Sequence, residues 1–167
     1  MDIDLSRGFN MKLILRWGGI AVVAAFVVMQ AFRSERTNPP VDPSNTLYAV
    51  VPVPDEVRNI LERSCIDCHS NETRWPWYSA IAPAMWVVAH DVEEARKELN
   101  FSEFGRYKSL RAVAKLDMIC EQIINRNMPL PAYLILHPDA EISKEEIDII
   151  CNWVESARDS LYIRSGE

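Results

Sequence analysis

The chain has 167 residues, a length for one domain with one core, and its 49% hydrophobic and 25% charged content is that of a globular protein with an added apolar stretch. A formal net charge of −6, with no cluster of Lys and Arg, excludes a binder that tracks nucleic-acid phosphates. Any partner selected by charge should present a basic rim. In chain order, residues 1–12 form a short polar start that includes Arg7 and Lys12. Residues 13–32 are apolar except for Arg16 and Gln30, about the 20 residues that cross a hydrocarbon core, which predicts a transmembrane signal anchor. Arg7, Lys12 and Arg16 before it place the N-terminus in the cytoplasm and the remainder on the periplasmic or extracytoplasmic side, although Arg33 and Arg36 reduce that bias. A cleaved signal peptide is the rival reading, but a cut after Ala31 would put Met29, not a small residue, at the minus-three position.

Residues 33–54 carry Pro39, Pro40, Pro43, Pro52 and Pro54, which fix backbone angles and remove donors, so a tether without regular structure is expected. The apolar run Tyr48–Val53 also allows an arm packed on the domain. The domain proper is expected over 55–167 and is all-α. Val57, Ile60, Leu61 and Cys65 have helical spacing after the start signal Pro54-Asp55. A second helix is expected from Pro83 to Leu99 and a third from Tyr107 to Asn125, with a stripe of Leu110, Val113, Ala114, Asp117, Cys120 and Ile124. Pro129, Pro131 and Pro138 make 127–140 a loop. Ser143 and Glu146 form a capping box ahead of a last helix with Ile147, Ile150, Cys151 and Val154 on one face, ending near Tyr162.

Cys65-Ile66-Asp67-Cys68-His69 has the spacing of a c-type haem attachment site. Two residues between the cysteines let both sulfurs reach the vinyl groups on one porphyrin edge, and the adjacent His69 then serves as proximal iron ligand. A covalent macrocycle would also fill the core of a domain of this size. The remaining imidazole nitrogen needs an acceptor, for which the carbonyl of Pro76 is one candidate. Zinc would require further ligands, but no second CxxC or HxxxH exists; a thioredoxin-like pair would require a βαβ context. A plain disulfide is a further reading in an oxidising compartment.

For the distal ligand, Met85, Met118, Met128, His90 and His137 lie beyond the leader. Met118 reads as core filler, Met85 could point to either side of a first turn, and His90 sits among Asp91 and Glu93 as a solvated residue. Met128 precedes Pro129 in a stiffened loop, 59 residues after His69, and is preferred; His90, His137 or an open position remain alternatives. Arg74, Trp75 and Trp77 follow the motif and could pair with haem propionates or pack against the ring, against the plainer reading of core aromatics and a solvated Arg. Trp153 reads as core. Cys120 and Cys151, on the apolar faces of two helices, are expected to form a disulfide, with two buried thiols as the alternative.

The segments CIDCHSNETRWPWY at 65–78, IAP at 81–83, LNFS at 99–102, MPLPAY at 128–133 and LHP at 136–138 together resemble the membrane-anchored bacterial haem-binding domain family, which is related to cytochrome c. The resemblance covers most of the chain beyond the anchor. It implies a cytochrome c-like helical fold, thioether links at Cys65 and Cys68, His69 as proximal and Met128 as distal ligand. Met85 and Phe104 depart from it, where a small polar residue and a Trp are expected. The expectation is a single haem c in an electron carrier with redox partner proteins and no enzymatic activity. A haem-based redox or small-ligand sensor, or a peroxidase-like protein with an open distal side, is the alternative.

Overall fold

The computed structural model describes residues 11–165, apart from the side chains of residue 12 and of 162–165. Residues 1–10 of the expected N-terminal segment 1–12, and the last two residues, lie outside the described residues. Every regular element among the described residues is helical: α1 (Met11–Met29), α2 (Leu47–Val50), α3 (Asp55–Ser64), α4 (Ile66–His69), α5 (Ala84–Glu98), α6 (Ser109–Ile124), α7 (Pro131–Leu134) and α8 (Lys144–Ser165), with short 3-10 turns between them. Two compact units result. One takes the chain up to Glu35 together with Pro76–Ala89; the other takes Arg36–Trp75 and everything from His90 onward.

In the first unit, α1 stops three residues before the expected end of the apolar span. The chain turns there, and the Gln30 carboxamide is engaged three times: its oxygen accepts from Ala82 N–H at 2.9 Å, and its nitrogen donates to the Phe26 carbonyl at 2.9 Å and to the Ala82 carbonyl at 3.4 Å. Trp86 donates its indole N–H to the Phe32 carbonyl at 2.7 Å. Met85 is buried here, so the thioether in the first turn of α5 is a packing residue of this unit. Among the described residues no helix is long and apolar enough to cross a membrane. The 19 residues of α1 rise about 28 Å at 1.5 Å each, and Arg16 interrupts them.

The second unit is built on α6 packed against α8, with α3 laid against α8 and the turn before it. α3 begins after Pro54, carries Asp55 and Glu56 in its first turn and Arg63 in its last, and so opposes its own dipole at both ends. Val57, Ile60 and Leu61 face the core, as their spacing requires. On α8, Ile147, Ile150, Trp153, Val154, Ala157 and Leu161 are buried, which extends the expected stripe by two turns. Both halves of the capping box form: Ser143 N–H donates to Glu146 Oε2 at 2.9 Å and Glu146 N–H to Ser143 Oγ at 3.1 Å.

Two expectations are corrected. The buried face of α6 is Ala112, Val113, Leu116, Ile119 and Ile123, while Leu110 and Ile124 are exposed, as are Ala114 and Asp117. The expected stripe was rotated because the helix is apolar on both flanks and its partner is chosen by tertiary packing. Nor is all of 33–54 a structureless tether: residues 33–42 carry no regular element, but the arm reading kept open for Tyr48–Val53 holds and starts earlier, at Pro43. That part makes a 3-10 turn (Pro43–Asn45) and α2, buries Leu47 and Val51 fully, and lies so close to Gly105 that a Cβ there would stand 3.1 Å from the Cα of Asn45 and from Val50. The carbonyl of Pro52 accepts the Trp153 indole N–H at 2.9 Å, and Trp153 is core as expected. The prolines stiffen an arm that apolar burial then holds down.

Candidate functional site

The C-terminal end of α3 runs directly into α4, with Cys65 as the residue shared by both ends. This single turn presents Cys65, Cys68 and His69 to one mostly apolar cavity of about 430 Å³, within the range of small-molecule and cofactor sites. Both thiols are free, whereas Cys120 and Cys151 are joined as a disulfide between α6 and α8 with their Cα atoms 5.3 Å apart. Desolvation, reinforced by the neighbouring Cys68, pushes the Cys65 thiol up to about 12; desolvation and then Asp67 push Cys68 up to about 11. Both therefore stay protonated and uncharged at neutral pH.

His69 is held by the last turn of α5. Its Nδ1 lies 3.1 Å from the Ala95 carbonyl and 3.0 Å from the Leu99 carbonyl. Carbonyl oxygens only accept, so Nδ1 carries the proton and Nε2 keeps its lone pair. Burial pushes the imidazole below its ordinary range, outweighing the two backbone hydrogen bonds that favour the cation. The acceptor expected at Pro76 is thus replaced by two carbonyls some thirty residues downstream of His69. The ring of Phe101 meets the imidazole edge-on at 6.2 Å between centroids.

The stretch 99–102 is the platform under this turn. Asn100 donates from Nδ2 to Asn71 Oδ1 at 2.8 Å, Ser102 Oγ accepts from Asn71 N–H at 3.0 Å, and Asn100 Oδ1 accepts from Ser102 N–H at 3.0 Å. These polar side chains are buried and satisfied by one another. Beside them, Arg96 of α5 donates to the Ser70 carbonyl (2.7 Å), Thr73 Oγ1 (2.8 Å), Asn38 Oδ1 (3.0 Å) and the Thr37 carbonyl (2.9 Å). One guanidinium therefore ties the loop after His69 to α5 and to the arm.

Met128 lines the same cavity. It is delivered there by a turn that closes α6: Arg126 takes φ 56°, its N–H donates to Ile123 O at 3.2 Å and Asn127 N–H donates to Gln122 O at 3.0 Å. A non-glycine residue in the left-handed region is costly, and the Arg126 guanidinium, donating to the Ile142 carbonyl at 2.6 Å, holds it there. Met118, read from the sequence as filler, also lines the cavity, so two thioethers are available. His90 is exposed, and His137 stacks on Tyr133 at 4.2 Å; neither is on the cavity wall.

The three residues expected to contact propionates or the ring are placed elsewhere. Arg74 is largely exposed and pairs with Asp67 at 2.9 Å. Trp75 donates its indole N–H to Asn38 Oδ1 at 3.2 Å. Trp77 is 76% exposed and meets Tyr78 edge-on within the first unit. What the sequence reading passed over is Lys115 of α6, a buried cation on the cavity wall, which an apolar-stripe search discards because it is charged.

A family model described as a haem-binding domain matches residues 24–156. The chain belongs to the haem-binding domain family. No curated protein and no solved structure matches it. Haem is accordingly the cofactor of this haem-binding domain, and the residues present fit it. Two thiols and an imidazole sit on one turn, thioethers stand on the same wall, and the Ser64 hydroxyl is buried beside them with no hydrogen-bond partner. Sulfur and nitrogen donors of this softness suit an iron porphyrin in an apolar enclosure.

Proposed function

We propose that this haem-binding domain is a monohaem c-type protein of cytochrome c-like character that carries single electrons at the outer face of the cytoplasmic membrane. The observation that carries the reading is the meeting of Cys65, Cys68, His69 and Met128 at one apolar cavity. Cys65 and Cys68 would hold the group through thioethers, with His69 Nε2 and the Met128 sulfur as iron ligands. The bound haem supplies reversible one-electron chemistry.

The chain's own residues serve that chemistry by restraint. Ala95 and Leu99 fix the tautomer and the orientation of His69 through its Nδ1 proton. Arg96 holds the following loop, and the Arg126 turn holds Met128. His69 and Met128 together would leave no iron position for a substrate, which is why a carrier is proposed and an enzyme is not. Attachment to the membrane through α1 is supported by its exposed apolar side chains, among them Leu15, Trp17, Val22 and Val23. Redox proteins with a basic docking rim are the proposed partners, given the acidic chain.

Expression of the full chain in a host competent for cytochrome maturation tests the reading. A denatured mass raised by one haem, a pyridine haemochrome of the c type and recovery in the membrane fraction are expected. In the ferric protein, Met128→Ala should abolish a Met-to-iron charge-transfer band while Met118→Ala leaves it. A colourless product sinks the haem c assignment. A high-spin ferric spectrum, with ready CO binding once the protein is reduced with dithionite, replaces the carrier with a ligand-binding sensor or peroxidase-like protein.

A further inference from the structure

The cavity is ringed by carboxylates and holds one cation. Asp67, Asp91, Glu94 and Glu98 lie on its wall, and among the described residues Lys115 is the one Lys or Arg that does. The Lys115 side chain is 10% exposed. Such a charge is stable only when well paired, because taking an ammonium out of water is costly and a buried partner must offset it.

Its partners in the protein are poor. Glu98 Oε2 stands 3.5 Å from Nζ on a side chain that is 68% exposed, so water screens that pair. The other contact is the Met118 sulfur at 3.9 Å, a weak acceptor. Lys115 is therefore a buried cation without a matching buried anion, on the wall of a cavity shaped for an apolar group.

We propose that Lys115 is the anion-binding residue of this cavity and pairs with a carboxylate of the bound macrocycle, a haem propionate. The assignment rests on the haem reading above. It gives a role to a lysine that stands on the wall among four carboxylates that would repel a dianionic ligand, and it fills the role that Arg74 leaves when it pairs with Asp67. The deficit of the free protein and the need of the ligand are complementary: each supplies the charge the other lacks.

The pairing makes opposite predictions for the two forms of the full chain. Without haem, produced in a host lacking cytochrome maturation, Lys115→Met should unfold at a higher denaturant concentration than the wild type, since a poorly paired buried charge is removed. With haem, the same variant should unfold at a lower concentration, and Lys115→Arg should recover most of that loss. In protein carrying haem labelled with 13C at the propionate carboxyls, the infrared carboxylate band should shift in Lys115→Met relative to wild type and return toward it in Lys115→Arg. A haem-loaded wild type whose band and unfolding midpoint are unchanged by Lys115→Met overturns the pairing alone. A wild type that takes up no haem overturns both the pairing and the reading beneath it.

Discussion

The Nδ1 atom of His69 lies 3.0 Å from the carbonyl oxygen of Leu99, thirty residues away in the chain, with the Ala95 carbonyl at 3.1 Å on the same proton. The imidazole is thereby oriented by the protein's own backbone. In the haem-free protein, ring 15N shifts should report the Nδ1–H tautomer of His69 and a slowly exchanging Nδ1 proton. A dominant Nε2–H form would remove the basis for His69 as a preorganised ligand.

Arg96 makes four hydrogen bonds that join α5 to the loop at 70–73 and to Thr37 and Asn38. Arg96→Gln keeps a polar side chain and loses the fork. Opening of the loop should become easier by about 2 kcal/mol, since hydrogen bonds to charged groups contribute roughly 1.5 to 3. Amide hydrogen exchange over 70–74 should accelerate accordingly while α8 is unaffected, and uniform acceleration across both would argue against a local role.

The Cys120–Cys151 bridge closes a loop of 31 residues that contains the whole Met128 turn. Replacing both cysteines by serine, or reducing the bridge, should lower stability by about 3 to 4 kcal/mol. Denaturant titration with and without reductant measures this. Mass spectrometry under non-reducing conditions, with iodoacetamide labelling both residues, would show instead that the thiols are free.

The Glu146 carboxyl is pushed up by desolvation, but hydrogen bonds from Ser143 N–H and from Arg63, together with the Arg63 charge, outweigh this and hold it below the ordinary value of 4.5. Arg63 donates to it at 2.8 Å. With a folded value below the unfolded one, its contribution is fully present above pH 4.5 and is lost as pH falls through the folded value. Ser143→Ala should cost about 1 kcal/mol at neutral pH. Glu146→Gln should be less stable at neutral pH and show a flatter loss below pH 4.5, read from denaturation midpoints across pH 3 to 7.

What was legible from residues alone is what depends on near neighbours in the chain. The two cysteines and the histidine meet because their spacing within one turn makes them meet; the capping box at Ser143 and Glu146 closes for the same reason, as do the apolar faces of α3 and α8. Met128 was singled out because two prolines stiffen its loop, and it stands on the cavity wall with the motif residues.

Burial of an arm or a helix face is a choice among many partners, and only the assembled chain makes it. Leu47 and Val51 turned a proline-rich tether into packed structure, and the face of α6 was decided by α8, not by its own ambiguous periodicity. The acceptors for His69 came from Ala95 and Leu99 because α5 folds over the motif, and the cation on the cavity wall is Lys115 of α6, while Arg74 is exposed and pairs with Asp67. Local spacing names the atoms that can bind; which distant carbonyl, charge or side chain stands opposite them depends on long-range packing, whose energy is not written in any short stretch of chain.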